Sequence, residues 1–128
     1  MVTQSRNVAA LKPEDIPQSR LEVYRHVVQT LLTDYAERSS TESVQCIPLL
    51  DVQGDHYQVL YIGWDESGKR VFKPVLHIDI IDDKIWIQEN ITDLDLDMLL
   101  ATAGIQPSEI VIGFHSPSLR KFGIYAIE

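Results

Sequence analysis

Residues 75–88 read VLHIDIIDDKIWIQ and predict two adjacent strands of a sheet. The paired aspartates in the middle are typical turn residues, and apolar and polar side chains alternate on either side of them. Pairing outward from this turn places Asp79 opposite Trp86 and His77 opposite Gln88. Successive side chains point to opposite faces of a strand, so one face is polar and the other is aliphatic. The aliphatic face, which we expect to lie under helices, consists of Leu76, Ile78, Ile80, Ile85 and Ile87.

The segment before this hairpin predicts a helix followed by further strands. The helix should begin at Arg20, because Ser19 and Glu22 have the spacing of a capping box. Apolar residues then recur at intervals of three and four as far as Tyr35, which gives the helix one apolar stripe. With the hairpin, four strands are predicted, over residues 44–50, 56–64, 70–81 and 84–88. Their short connections favour an antiparallel meander.

A second helix is predicted after the meander. Thr92, with Asp95 three residues later, has the spacing of an N-cap, and Gly104 is a typical helix stop. The apolar face of this helix would consist of Leu94, Met98, Leu99 and Ala101. A turn at 107–109, short strands at 110–112 and 122–127, and a loop at 115–121 would complete the chain. This order of elements predicts an α+β fold with both helices on one face of the sheet.

Length and charge limit the number of domains and the choice of partners. A chain of 128 residues with 45% hydrophobic residues is long enough for one domain with a core, but not for two. We place this domain over residues 19–128 and treat residues 1–18 as an N-terminal extension, since they contain two prolines and no strong periodicity. The net charge of −8 disfavours direct binding to nucleic acid.

Several features favour a soluble, cytoplasmic protein. Cys46, the only cysteine, lies in an apolar strand pattern and should be buried. The chain therefore has no disulfide of its own and no multi-cysteine metal site, which fits a reducing compartment. No apolar run approaches the roughly 18 residues of a membrane span, and the N-terminus lacks the apolar core of a signal peptide.

The polar face of the hairpin is the candidate functional surface. It carries His77, Asp79 and Gln88 around Trp86. An exposed tryptophan among polar groups is typical of an anchor in a protein interface. This pattern therefore favours self-association or the binding of a protein partner.

The strand at 56–64 adds to this face in one of two registers. A two-residue turn at Ser67-Gly68 would place His56 opposite Asp79 and Gln58 opposite His77. A slip of one residue would instead place there Tyr57, Val59 and Tyr61. Both sets are partly apolar, so both registers fit the pattern.

The same face also permits a chemical interpretation. His77 and Asp79 are two residues apart on one strand and could ligate a metal or act as acid and base, with His56 as a third ligand. They could equally hydrogen-bond to each other across an open sheet. Because the chain has no HExxH-type spacing and no evident nucleophile–base pair, we predict a protein that is not an enzyme and needs no metal or cofactor.

The loop at 115–121 supplies two further candidates for ligand or partner binding. His115 is followed by Ser116, but the Gly-x-Ser-x-Gly elbow of a serine hydrolase is missing. Arg120 and Lys121 form a basic spot that is too small to hold a DNA duplex. It could still dock an acidic group of a partner.

Four motifs, in order, resemble the XisI-like family. They are YRHVVQTLLTDYA at 24–36, DHYQ at 55–58 running to GW at 63–64, VLHIDI at 75–80 with KIWIQ at 84–88, and FHSP at 114–117 with RKF at 120–122. The strand motif around the two aspartates is the most specific of these. The resemblance covers residues 22–128.

The resemblance implies an accessory role in programmed DNA rearrangement. The family is named for a controlling factor in excision of the fdxN element, a DNA segment removed in cyanobacteria during heterocyst differentiation. No catalytic residues transfer from it. Our first hypothesis is therefore a non-catalytic accessory protein that acts as a homodimer and with a XisH-like protein partner. The alternative is a small-ligand or metal-binding protein, or an enzyme, that uses the His/Asp face.

Overall fold

The computed structural model describes residues 19–128 as a single sheet with helices, and the extension expected over residues 1–18 lies outside this range. The elements are α1 (Arg20–Ser39), β1 (Val44–Asp51), β2 (His56–Trp64), β3 (Arg70–Ile81), β4 (Lys84–Asn90), α2 (Leu96–Thr102), a 3-10 turn (Pro107–Glu109), β5 (Ile110–Ile112) and α3 (Pro117–Arg120). The strands lie side by side in sequence order. The first four pair antiparallel, and β5 pairs parallel with β4. The predicted α+β fold is confirmed.

Helix α1 covers the aliphatic face of the sheet. It begins where predicted, because the Ser19 hydroxyl accepts a hydrogen bond from the backbone N–H of Glu22 at 3.1 Å. Side chains of its apolar stripe pack onto β1, β2 and β3. The residues buried in this core include Tyr24, Val28, Leu32, Tyr35, Cys46, Tyr57, Val59, Leu76, Ile78, Ile80, Ile85 and Ile87. Burial of each aliphatic side chain contributes about 1.5–3 kcal/mol, so this layer dominates the stability of the fold.

Two half-buried carboxylates connect α1 to distant parts of the chain. Asp55, in the turn between β1 and β2, accepts from both Nε and Nη2 of Arg25 at 2.8 Å. Glu109 accepts from the Tyr24 hydroxyl at 2.6 Å and from the guanidinium of Arg20. Each contact joins the helix to a turn far away in sequence, which fixes the position of α1 on the sheet.

The β3–β4 hairpin has the predicted turn. Asp82 and Asp83 both adopt positive φ, of 49° and 61°, as a two-residue hairpin turn requires. Asp79 pairs with Trp86, as expected. The expected pairing of His77 with Gln88 is wrong, because a β-bulge adds one residue to β4 and His77 pairs with Glu89. The Gln88 amide donates to Oδ2 of Asp79 at 3.1 Å.

The β2–β3 pairing follows the first of the two registers: His56 lies opposite Asp79 and Gln58 opposite His77. The prediction that a two-residue turn at Ser67-Gly68 would produce this register is wrong. The connecting loop has five residues, closed by the Asp65 carboxylate, which accepts from the N–H groups of Ser67 and Lys69. A bulge between Val59 and Leu60 then adds one residue to β3 and restores the pairing.

Helix α2 begins later than predicted and buries a different face. Its N-cap is Asp95, whose carboxylate accepts from the N–H of Met98. Thr92 cannot serve as the cap, because its hydroxyl donates to Asn90 and accepts from the N–H of Leu94 in the preceding turn. The buried residues are Leu96 and Leu100. Of the predicted face, Leu94 and Leu99 do pack against the core, although Leu94 precedes the helix, whereas Met98 and Ala101 are exposed. Gly104 adopts φ +86° just past the C-cap, as a helix stop does.

The C-terminal segment differs from the prediction. Residues 122–127 do not form a strand, and Ala126 makes one isolated bridge to Val111. Strand β5 has only three residues, so it offers little edge for another strand to pair with. The predicted loop at 115–121 contains the short helix α3, which starts at Pro117.

Within residues 19–128, no helix has the length and apolar composition needed to cross a membrane.

Candidate functional site

The sheet face opposite α1 is open and has two distinct halves. The first, which we call the polar half, carries His56, Gln58, His77, Asp79 and Gln88. The second, the apolar half, lies farther along β1, β2 and β3 and carries Ile47, Leu49, Leu60, Ile62, Trp64 and Phe72. The two sets share a face because alternate residues of β2, from His56 to Trp64, all point to the same side.

Asp79 is the centre of the polar half. It is only 8% exposed and is the one buried charged residue among residues 19–128. Its Oδ1 lies 2.7 Å from Nδ1 of His56 and 2.7 Å from Nε2 of His77. Its Oδ2 accepts from Nε2 of Gln88 at 3.1 Å. A buried carboxylate with three donors is held rigidly, because each lost partner would leave a desolvated charge.

The strands set this geometry directly. His56 is the cross-strand partner of Asp79, and His77 is two residues before it on the same face. Gln58 is the cross-strand partner of His77, and its Oε1 lies 2.8 Å from the second ring nitrogen, Nδ1. Both nitrogens of the His77 ring therefore have an oxygen partner.

The electrostatics of the polar half follow from these contacts. Burial alone would raise the pKa of the Asp79 carboxyl, but hydrogen bonds from His56, His77 and Gln88 outweigh burial and hold the pKa below its usual value. The hydrogen bond to this carboxylate raises the pKa of His56. Asp79 is thus a stable anion that presents negative charge to the two imidazoles.

Gly113 contributes to the polar half and was not predicted from the sequence. Its backbone N–H donates to the carbonyl of Ile87 at 2.7 Å, and a Cβ at this position would collide with the Gln88 amide. The lack of a side chain at Gly113 therefore leaves room for the Gln88 amide where β5 ends. Gly113 precedes the FHSP motif, but its close approach to β4 depends on the parallel pairing of β5, which was not predicted.

Trp86 is less exposed than expected. The guanidinium of Arg120 lies over its ring, 4.9 Å from the centroid, and the ring is half-buried. Arg120 is held there by the carbonyl oxygens of His115 at 3.1 Å and Gly113 at 3.4 Å. The expectation of a freely exposed tryptophan anchor is wrong, because α3 folds back over it.

His115 lies apart from the polar half. Its exposed ring packs edge-on against Phe114, with centroids 5.0 Å apart, and its carbonyl rather than its ring contacts Arg120. The neighbouring Ser116 hydroxyl is paired with Ser118. The structure therefore brings together His56, Gln58, His77, Asp79 and Gln88, places Trp86 and Arg120 beside them as a stacked pair, and leaves His115 outside.

The apolar half was also missed. Trp64 is 54% exposed and Phe72 is 63% exposed, and Ile62 lies opposite Phe72 across the strands. Their position on the open face depends on the register of β2, which the sequence left open. Spacing along β2 could have placed Ile62 and Trp64 on the same face as His56, since its even-numbered residues share one face. Phe72 joins that face only through the bulge in β3.

These features define a class of small α+β protein: one five-stranded sheet, helices α1 and α2 packed into its aliphatic core, and an opposite face with a buried aspartate between two histidines. The chain matches the model of the family described as XisI protein over residues 19–127, and it belongs to that family.

Two solved structures support this assignment. A XisI-like protein from Anabaena variabilis is 35% identical, with a TM-score of 0.78, and the match covers 84% of this chain and 99% of that one. The fdxN element excision controlling factor XisI from Anabaena variabilis is 36% identical, with a TM-score of 0.73, and the match covers 86% of this chain and 100% of that one. Among curated proteins, no match is found.

Proposed function

We propose that this XisI-family chain is a non-catalytic accessory factor in excision of a DNA element, and that it acts through contacts with a second copy and with a XisH-like partner. Membership of the family, and the name of one solved relative as an excision controlling factor, support the proposed role in excision. The apolar half of the open face supports the mode of action.

The apolar half is the observation that carries this proposal. Large side chains of β1, β2 and β3 lie together on it, and Trp64 and Phe72 are more than half exposed. Contiguous apolar surface that is rimmed by polar residues marks protein interaction sites. Arg70 lies over the Trp64 ring at 5.2 Å, which gives this surface the aromatic–arginine composition that interfaces favour.

Charge supports an indirect relation to DNA. A net charge of −8 repels the phosphate backbone, and the stacked Arg120 is already engaged by backbone carbonyls. We therefore assign the contact with DNA to a partner, and we place this activity in the cytoplasm.

The contacts of the polar half support a non-catalytic role. Asp79 makes three hydrogen-bonding contacts within its own chain, which favours a role in positioning the histidines over that of a general base. The only serine next to a histidine, Ser116, is paired with Ser118.

Association can be tested with a matched pair of substitutions. Phe72→Asp places a charge on the apolar half, and Met98→Asp places one on α2, at a residue that is 58% exposed. By sedimentation velocity and by capture of a purified XisH-like protein, we expect Phe72→Asp to weaken association about 10-fold or more, because a buried unpaired charge costs several kcal/mol. Met98→Asp should associate as the unchanged protein does. Equal association of all three proteins would refute the proposed interface.

A further inference from the structure

The strongest unassigned feature is the convergence of three possible metal ligands in the polar half. One ligand atom each from His56, His77 and Asp79 lies within 4.8 Å of the other two. Nδ1 of His56 and Nε2 of His77 each lie 2.7 Å from Oδ1 of Asp79. From this geometry we propose that the three side chains bind one divalent transition-metal ion of the zinc type, which goes beyond the role proposed above.

The donor set suits such an ion. Two imidazoles and one carboxylate are typical ligands of Zn²⁺ and of neighbouring first-row metals, whereas Mg²⁺ and Ca²⁺ prefer oxygen ligands only. Three protein ligands leave at least one coordination position for water or for another molecule. That position is accessible, since the His56 side chain is 58% exposed.

The contacts of His77 also favour a cation. Its two ring nitrogens lie 2.8 Å from a Gln58 oxygen and 2.7 Å from an Asp79 oxygen. A neutral imidazole carries a single N–H, so it can donate to only one of these oxygens. A metal at Nε2 fits this arrangement, because the ring would then donate from Nδ1 to Gln58 and give its Nε2 lone pair to the ion.

Outer hydrogen bonds already orient two of the ligands. Gln58 holds the far nitrogen of His77, and Gln88 donates to the far oxygen of Asp79 at 3.1 Å. Metal-binding histidines and carboxylates are usually held in this way, and loss of such a partner costs about 10- to 100-fold in affinity. The three side chains therefore have outer hydrogen bonds of the kind that metal sites use, in addition to their contacts with one another.

Metal binding requires only a small movement. Ligand atoms around tetrahedral zinc are roughly 3.3 Å apart, so the two 2.7 Å contacts must lengthen by about 0.6 Å. Asp79 is buried and fixed, whereas His56 is at the exposed start of β2 and can shift. Asp51, the cross-strand partner of His56, adds negative potential that attracts a cation.

The test is titration of the chelator-treated full chain with Zn²⁺ by calorimetry, and with Co²⁺ by visible absorption. We expect one metal per chain, intense Co²⁺ absorption, and about 100-fold weaker binding in His56→Gln and His77→Gln. Gln58→Leu removes only an outer hydrogen bond and should weaken binding about 10- to 100-fold. His115→Gln is the matched control, because this exposed histidine lies outside the polar half.

Three results would overturn the site. They are no binding by the unchanged chain, equal binding by His56→Gln and the unchanged chain, or equal loss in His115→Gln. His56 is largely exposed, so its substitution should fold, which circular dichroism verifies. The Phe72→Asp variant should keep its metal affinity, so failure of the metal site and failure of the proposed interface are separable.

Discussion

The polar and apolar halves of the open face are built on the same strands, but their side chains are satisfied in different ways. In the polar half, Asp79 is buried and contacts His56, His77 and Gln88 within the same chain. In the apolar half, Trp64 and Phe72 remain largely exposed to solvent. The first half is organised by contacts within the chain, whereas the second is the surface that we propose a partner covers, with burial of apolar area as the gain.

Because of this difference, substitutions in the two halves should change different properties of the protein. Changes in the polar half should alter the stability of the single chain and its ligand affinity. Changes in the apolar half should alter association and leave the free energy of unfolding nearly unchanged.

The largest effect on stability is expected from Asp79→Ala. It removes a buried carboxylate and leaves two imidazoles and an amide without their acceptor, so the free energy of unfolding should fall by about 2–4 kcal/mol. Phe72→Ala, in the apolar half, should change it by less than about 1 kcal/mol. Urea unfolding of both variants at low protein concentration measures the difference. Equal losses would show that the two halves do not differ as described.

Gly113→Ala should have the next largest effect. A methyl group there collides with the Gln88 amide and must displace it from Asp79, which we expect to cost about 1–3 kcal/mol. Gly123→Ala is the matched control, because a Cβ at Gly123 meets no atom closer than 4.0 Å. In thermal unfolding, the Gly113→Ala protein should have a clearly lower midpoint temperature than the Gly123→Ala protein. A stable Gly113→Ala protein would mean that Gln88 is not held against Asp79.

A smaller effect, on acid stability, should come from Glu109, which belongs to neither half. Burial alone would raise the pKa of Glu109, but hydrogen bonds from Tyr24, the backbone N–H of Gln106 and Arg20 hold it below its usual value. A depressed pKa contributes stability at neutral pH that is lost as pH falls through the folded-state value.

Glu109→Gln should therefore lower the free energy of unfolding by about 1–2 kcal/mol at pH 7, and the difference from the unchanged chain should shrink below about pH 4. Urea unfolding across this pH range measures it. Association and metal affinity should not change. A difference that grows in acid would contradict the assigned contacts.

The parts of the molecule that could be predicted from sequence are those set by local periodicity. The α1 stripe, the Ser19 cap and the Asp82-Asp83 turn each depend on residues close in the chain, and each is found in the structure. The aliphatic face of β3 and β4 follows from strand alternation alone.

The parts that were missed depend on contacts between distant residues. The loop closed by Asp65 and the bulge between Val59 and Leu60 shift the β2 register in opposite senses, so neither could be inferred without the other. Helix α2 starts later than predicted because the Thr92 hydroxyl is hydrogen-bonded within the preceding turn. The apolar half was not predicted because it exists only in one register of β2. The packing of Arg120 over Trp86 was not predicted because it depends on where α3 folds.

The two tryptophans allow the central claim to be tested directly, since Trp64 lies in the apolar half and Trp86 beside the polar half. Trp86→Phe leaves Trp64 as the only tryptophan, and Trp64→Phe leaves Trp86. Emission is recorded as each protein is concentrated and as a XisH-like partner is added. If the apolar half is the interface, Trp64 emission shifts to shorter wavelength on association while Trp86 emission stays nearly constant. A shift confined to Trp86, or association with no shift at Trp64, would contradict the account.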